Sequence, residues 1–207
     1  MYRNRAEAAS FLAVELKKYE GTNTIILAIP RGGVPIGYGI AKALHLPLEI
    51  TMAKKIGHPG NMEYAIGAVS LDEVSINEEV SQGYLQKETE KIKNELATRL
   101  RYFMPGRKLT ELKGKNAIIV DDGIATGRTL IACIKSIRKK KPARLIIASP
   151  VASSSAAGIL RPLADEFVCP LVSPEFHSVG QFYEDFSEVS DAEVKELLLE
   201  AGKYIAQ

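Results

Sequence analysis

Tryptophan is absent from this 207-residue chain, and cysteine and histidine are scarce, at two and three residues. Cys133 and Cys169 lie far apart in apolar surroundings, without metal-ligand spacing. That excludes a disulfide scaffold and a cysteine-based zinc site, and both read as small buried hydrophobes in a reducing compartment. No stretch approaches the roughly 20 apolar residues of a membrane span. The opening Met1-Tyr2-Arg3-Asn4-Arg5 runs into a helical pattern, unlike the apolar core of a secretion signal. Both observations point to the cytoplasm. Charge of one sign is lacking as well: 27 Lys and Arg face 25 Asp and Glu, a formal net charge of +2. So small an excess argues against a nucleic-acid or membrane surface. The run Arg138-Lys139-Lys140-Lys141 sits at an expected helix C-terminus, where the dipole favours cations. No Ser/His/Asp or Cys/His constellation stands out, so no covalent nucleophile is expected.

What is present is an average globular mix, 46% hydrophobic and 25% charged, in a chain long enough to bury a core without staples. Asn4 caps an expected helix over residues 5–19, with Ala8, Phe11, Leu12, Leu16 and Tyr19 at helical spacing and Gly21 ending it. Residues 24–29 form a continuous apolar run, the pattern of a strand buried on both faces. A second helix opens with Pro35 in its first turn and repeats Ile36, Ile40, Ala43 and Leu44; residues 48–53 read as the next strand. This strand–loop–helix–strand unit favours a parallel sheet. Residues 54–63 read as a mobile loop, followed by a hairpin over residues 65–76. A long amphipathic helix is expected from about residue 78 to 103, with Val80, Tyr84, Ile92, Leu96, Leu100 and Phe103 in its stripe and Pro105-Gly106 as its stop. The rhythm then repeats: strand 117–120, helix with Leu130, Ile131, Ile134 and Ile137, strand 145–148, helix 153–163, short strand 166–168, and a last helix over 191–204. With no repeat and no low-complexity linker, residues 1–207 are expected to form a single domain. The fold class is α/β, a doubly wound and mostly parallel sheet.

The chemistry concentrates in Val120-Asp121-Asp122-Gly123-Ile124-Ala125-Thr126-Gly127-Arg128-Thr129. The segment lies where a buried strand ends and a helix begins, and open α/β sheets bind ligands at the carboxyl ends of their strands. Gly123 and Gly127 let the backbone approach a ligand, the helix offers unpaired N–H groups, and Thr126 and Thr129 add hydroxyls: a phosphate cradle. Two adjacent carboxylates before such a cradle need compensation. Vicinal ribose hydroxyls are one answer and a divalent cation another. A Walker motif would require Lys where Arg128 stands, with different glycine spacing.

This segment resembles, nearly residue for residue, the 5-phosphoribosyl-1-pyrophosphate (PRPP) signature of the type I phosphoribosyltransferase family. The resemblance implies that Asp121 and Asp122 hold the ribose 2- and 3-hydroxyls and that residues 124–129 wrap the 5-phosphate. Pro30-Arg31-Gly32-Gly33, after the first strand, looks like the family's short pyrophosphate loop: paired glycines expose N–H groups and Arg31 is a fixed cation. The segment from Lys54 to Tyr64, within a lid of about residues 54–76, resembles in position the family's flexible lid. Lys54, Lys55 and His58 would close over the leaving pyrophosphate. The tail, about residues 165–207, corresponds to the variable hood over the nucleobase, with Phe176, Phe182 and Tyr183 as stacking candidates. Glu175 stands near where related purine-salvage enzymes carry an acid by the second metal; otherwise Mg²⁺ would be held through PRPP itself.

The resemblance also implies the reaction: a nitrogenous acceptor attacks C1 of PRPP as Mg-pyrophosphate leaves, with Arg31 and Lys54 or Lys55 assisting. Members that salvage 6-oxopurines carry an acid where this chain has Ala125, which weighs against hypoxanthine or guanine. Relatives acting on adenine, uracil or orotate place a small residue there. The competing reading is a PRPP- or nucleotide-binding regulator on the same fold. PRPP synthesis would require a second domain. The expected partners are PRPP and a small acceptor, with neither nucleic acid nor membrane. The long helix leaves a homo-oligomer open.

Overall fold

The computed structural model describes residues 1–76 and 80–205. Five parallel strands form its central sheet: β1 (Thr24–Ala28), β2 (Leu48–Ile50), β6 (Asn116–Val120), β7 (Arg144–Ala148) and β9 (Glu166–Val168), in the order β2-β1-β6-β7-β9. Every neighbouring pair is parallel. Side chains alternate between the two faces, as the period of a strand requires. Ile26, Ala28, Ile118 and Val120 enter one core with α1 (Arg5–Glu15), α2 (Gly33–Leu44) and α6 (Asp191–Ile205). Ile25, Leu27, Ala117 and Ile119 enter the other, with α4 (Arg128–Lys139) and α5 (Ser154–Leu160). Burial on both faces explains the uninterrupted apolar runs. The doubly wound reading holds.

Chain order reverses between β1 and β6, whose ends are in register, Ala28 opposite Val120. The loops after these two strands therefore leave the sheet side by side at the topological switch point, where α/β sheets form their ligand crevice. A two-stranded parallel sheet of β8 (Val151–Ser153) and β10 (Leu171–Ser173) stands beyond β7. Both strands are too short to carry a sequence signal, and neither was expected.

The largest difference lies in residues 53–76. The expected hairpin is present as β4 (Asn61–Ser70) and β5 (Val74–Ile76), but in place of a mobile loop β3 (Ala53–His58) joins it in one three-stranded antiparallel sheet. Ile56, Ile66 and Val69 pack on Ile92 and Leu96 of α3 (Gln82–Phe103). In β3 the buried positions Ile56 and Gly57 are adjacent and follow two exposed lysines, so its alternation is diluted. Pro59-Gly60, part of the apparent loop, is the turn between β3 and β4.

Smaller corrections concern stripes and boundaries. Asn4 does cap α1, its Oδ1 accepting from the Glu7 N–H at 3.0 Å, but the α-helix stops at Glu15 and a 3₁₀ turn, Lys17–Tyr19, completes the segment. Phe11 is 55% exposed; Ala9 and Ala13 hold the inner positions. On α2, Ala41 is buried where Ala43 was expected. The α3 stripe is shorter than read: Val80 precedes the helix, and the expected start at residue 78 lies outside the described residues. No helix among the described residues is long and apolar enough to cross a membrane.

Candidate functional site

The loop between β6 and α4 is anchored on one side and open on the other. The Ile124 N–H donates to the Val151 carbonyl and its own carbonyl accepts from Ser153 N, both at 2.9 Å. The Ser153 hydroxyl donates to the Ala125 carbonyl at 2.6 Å. Ile124 is buried, while Ala125, Thr126, Arg128 and Thr129 are exposed. Gly127 caps α4 with φ 70°, and a Cβ there would approach Leu160 to 3.0 Å. A left-handed cap tightly packed from below admits only glycine comfortably. The result is a concave N-terminus of a three-turn helix facing solvent, as an anion requires.

Behind this cradle stand the two acids. Burial and the neighbouring Asp122 push the Asp121 carboxyl well above its usual range. Asp122 is 9% exposed, and burial raises it too, against the opposing pull of Arg5. The compensation that two adjacent carboxylates need is already inside the protein: Nε and Nη2 of Arg5 reach Asp122 Oδ2 at 2.9 and 2.8 Å. The Tyr183 hydroxyl donates to the Asp122 carbonyl at 2.7 Å.

The loop after β1 meets these acids directly. A Cβ on Gly32 would lie 1.9 Å from Asp122 Oδ2, and one on Gly33 would lie 2.6 Å from the Val120 carbonyl oxygen. The peptide between Pro30 and Arg31 is cis. Arg31 turns to the surface, where Nη2 donates to Glu188 Oε1 at 2.5 Å, with Asp191 4.0 Å from the other nitrogen. Thus residues 30–33 and 121–129, far apart in sequence, form one surface.

Lys54 and Lys55 of β3 line, with Thr126, Arg128, Thr129 and Tyr64, a cleft of about 640 Å³ beside the cradle. Lys54 donates to Glu95 of α3 at 2.6 Å. His58 lies at the far end of β3, its Nδ1 accepting from the Gly60 N–H at 3.0 Å. In the tail, Phe176 and Phe182 stack against each other with centroids 5.2 Å apart, partly buried on the core. Tyr183 differs from them. It is 5% exposed, with its ring against Tyr2 and Phe186, so it anchors the hood and presents no open face for stacking. Glu175 is exposed, and no cluster of three or more His, Cys, Asp or Glu side chains able to hold a metal occurs among the described residues. The described side chains by themselves therefore do not make a metal cage.

Sequence reading missed Arg5, Glu188 and the anchoring role of Tyr183. Arg5 did carry a signal: it is the first residue of α1, where the helix dipole disfavours a cation. A basic residue there needs a carboxylate from elsewhere. Which carboxylate is a tertiary fact.

Comparison with known proteins agrees with this geometry. The family model for the phosphoribosyl transferase domain matches residues 2–187. A relative from Mycobacterium tuberculosis, provisionally named a phosphoribosyl transferase, is 34% identical over 214 residues, covering 100% of this chain and 48% of its own length. The chain thus spans about half of that relative. Among solved structures, the protein TT1426 from Thermus thermophilus superposes with a TM-score of 0.88 at 34% identity, over 97% of this chain and 98% of that one. A purine phosphoribosyltransferase from Pyrococcus horikoshii shares the fold, with a TM-score of 0.50 at 17% identity over 90% and 93% of the two chains. The chain belongs to the phosphoribosyl transferase domain family.

Proposed function

We propose that this protein transfers the 5-phosphoribosyl group of PRPP to a nitrogenous acceptor and releases pyrophosphate. The observation that carries this reading is the contact of two glycine-rich loops at the switch point, with Gly32 of residues 30–33 lying against Asp122 of residues 121–129. One loop offers a phosphate cradle and two acids for a ribose. The other offers backbone N–H groups and Arg31 for a pyrophosphate.

In the reaction, the bond from C1 to the pyrophosphate oxygen breaks, a bond from C1 to the acceptor nitrogen forms, and the nitrogen loses a proton. The sugar passes through a cation-like transition state, so the protein's work is positioning, charge neutralisation and exclusion of water. Asp121 and Asp122 would orient the diol, and residues 123–129 would grip the 5-phosphate. Arg31 would face the leaving group, and Lys54 and Lys55 would close the cleft from the lid. Phe176 and Phe182 are the hood residues nearest an acceptor role. Mg²⁺ would be carried by the pyrophosphate and ribose oxygens, supplying charge neutralisation on the leaving group. We read residues 1–207 as one such domain with its lid and hood.

The test is a pyrophosphate-release screen with Mg-PRPP over purines, pyrimidines and small amines. Release with one acceptor class supports the transferase and names its substrate. Silence across the panel with PRPP binding intact selects the regulator, a reading favoured by one observation: Asp122 and Arg31 are both engaged by the protein's own charges.

A further inference from the structure

Arg5 lies far in sequence from residues 30–33 and 121–129, yet it touches the centre of the site. Its guanidinium makes two hydrogen bonds, Nε to Asp122 Oδ2 and Nη1 to the Ser187 carbonyl at 2.8 Å, and Nη2 adds an ion-pair contact with the same Asp122 oxygen. Its plane lies over the Phe186 ring, 4.0 Å from the centroid. The Arg5 and Asp122 side chains are only 12% and 13% exposed. A planar fork fixed on an acid, a carbonyl and an aromatic face has little freedom left, and lysine could not reproduce all three contacts.

The geometry on Asp122 is one-sided. Both Arg5 nitrogens take Oδ2, which is also the oxygen nearest Gly32. Oδ1 lies outside the ion pair. We propose that Arg5 is a positioning residue for ribose recognition: it captures one oxygen of Asp122, presents the other to a ribose hydroxyl, and ties that acid to the hood. The inference rests on the PRPP reading of the site and adds to it a residue that holds the second acid charged and oriented.

The electrostatic consequence follows from what surrounds Asp122. Facing it are Arg5 from α1, Asp121 beside it and the Tyr183 phenol from the hood, with the Gly32 backbone opposite. Arg5 is the cation of that set. Without it, the burial that raises the Asp122 carboxyl loses its main opposition, and Asp122 takes up a proton at higher pH. An ionised carboxylate accepts a hydroxyl hydrogen bond more strongly than a protonated one.

The experiment is calorimetric titration of Mg-PRPP into wild type, Arg5→Ala, Arg5→Lys and Tyr183→Phe at several pH values between about 6 and 8, with circular dichroism confirming the fold. Arg5→Ala is expected to weaken binding about tenfold or more, the scale of one charge-assisted hydrogen bond, with a steeper loss toward acid pH than wild type shows. Arg5→Lys returns a charge beside Oδ2 and should restore the wild-type pH profile with part of the affinity. Tyr183→Phe removes the other anchor of Asp122 but no charge, so its pH profile should match wild type. Arg5→Ala with wild-type affinity, or with weakened affinity and an unaltered pH profile, would overturn the proposal. If Arg5→Ala does not fold, the Lys variant decides alone: a wild-type profile supports the proposal and an acid-steepened one overturns it. Absence of PRPP binding in wild type would instead remove the site reading itself, and this inference with it.

Discussion

The guanidinium of Arg31 and the carboxylate of Glu188 form a 2.5 Å contact that closes the loop after β1 with an anion from the segment leading into α6. The side chains are 40% and 78% exposed, so the pair contributes at most about 0.2–1 kcal/mol. A ligand phosphate competing for the same cation must displace it. Glu188→Gln should therefore tighten Mg-PRPP or pyrophosphate binding by about two- to fivefold, and Arg31→Ala should weaken it. Calorimetry at low and high salt checks both, because the Glu188 effect should shrink as salt rises.

The acid pair is a functional arrangement held at a cost in stability. Asp121 is raised by burial and by Asp122, so its neutral form is favoured in the folded state. Stability from that preference is complete below the ordinary carboxylate range and is lost as pH rises through the raised value. Asp121→Asn should accordingly raise Tm at neutral pH while weakening PRPP binding. The double variant Asp121→Asn/Asp122→Asn should abolish binding measurably. A stabilised variant with intact PRPP affinity would count against the ribose role.

Two adjacent glycines should respond differently to the same methyl group. At Gly32 the obstacle is the Asp122 carboxylate, a side chain held by Arg5; at Gly33 it is the backbone carbonyl of Val120. Gly33→Ala must move sheet backbone and should cost about 1–3 kcal/mol or more, visible as a fall in Tm. Gly32→Ala should cost less stability but eliminate PRPP binding, since it displaces the acid. Equal Tm losses would show that the two loops are less tightly seated than described.

Burial pushes the thiols of Cys133 and Cys169 up to about 12 each. In the folded state both stay protonated where an unfolded cysteine ionises, so the unfolded chain binds fewer protons above the ordinary thiol range. Folding stability should then fall as pH rises from about 8.5 toward 12. In native protein at mildly alkaline pH a thiol reagent should label both slowly, and denaturant should make them react at once. Rapid native labelling of Cys133 would contradict its burial on the inner face of α4.

Residues that act through local rules were legible in the chain before any fold was known. Apolar runs marked the strands because a sheet covered on both faces leaves no polar position. Asn4, Pro35 and the Pro105-Gly106 stop marked helix ends because caps satisfy backbone groups within a few residues. The stretch from Asp121 to Thr129 was readable because a phosphate cradle is one contiguous turn. The hairpin over residues 65–76 was legible from its alternation, but residues 54–63 were misjudged as a loop because β3 mixes glycine and lysine into its alternation. The Arg5–Asp122 and Arg31–Glu188 pairs join positions 117 and 157 residues apart. Such pairing obeys no sequence period: it arises only when the winding of the sheet brings α1, the switch-point loops and the hood to one rim. Charge types were visible in the letters, but which charge meets which is set by where the folded backbone puts them.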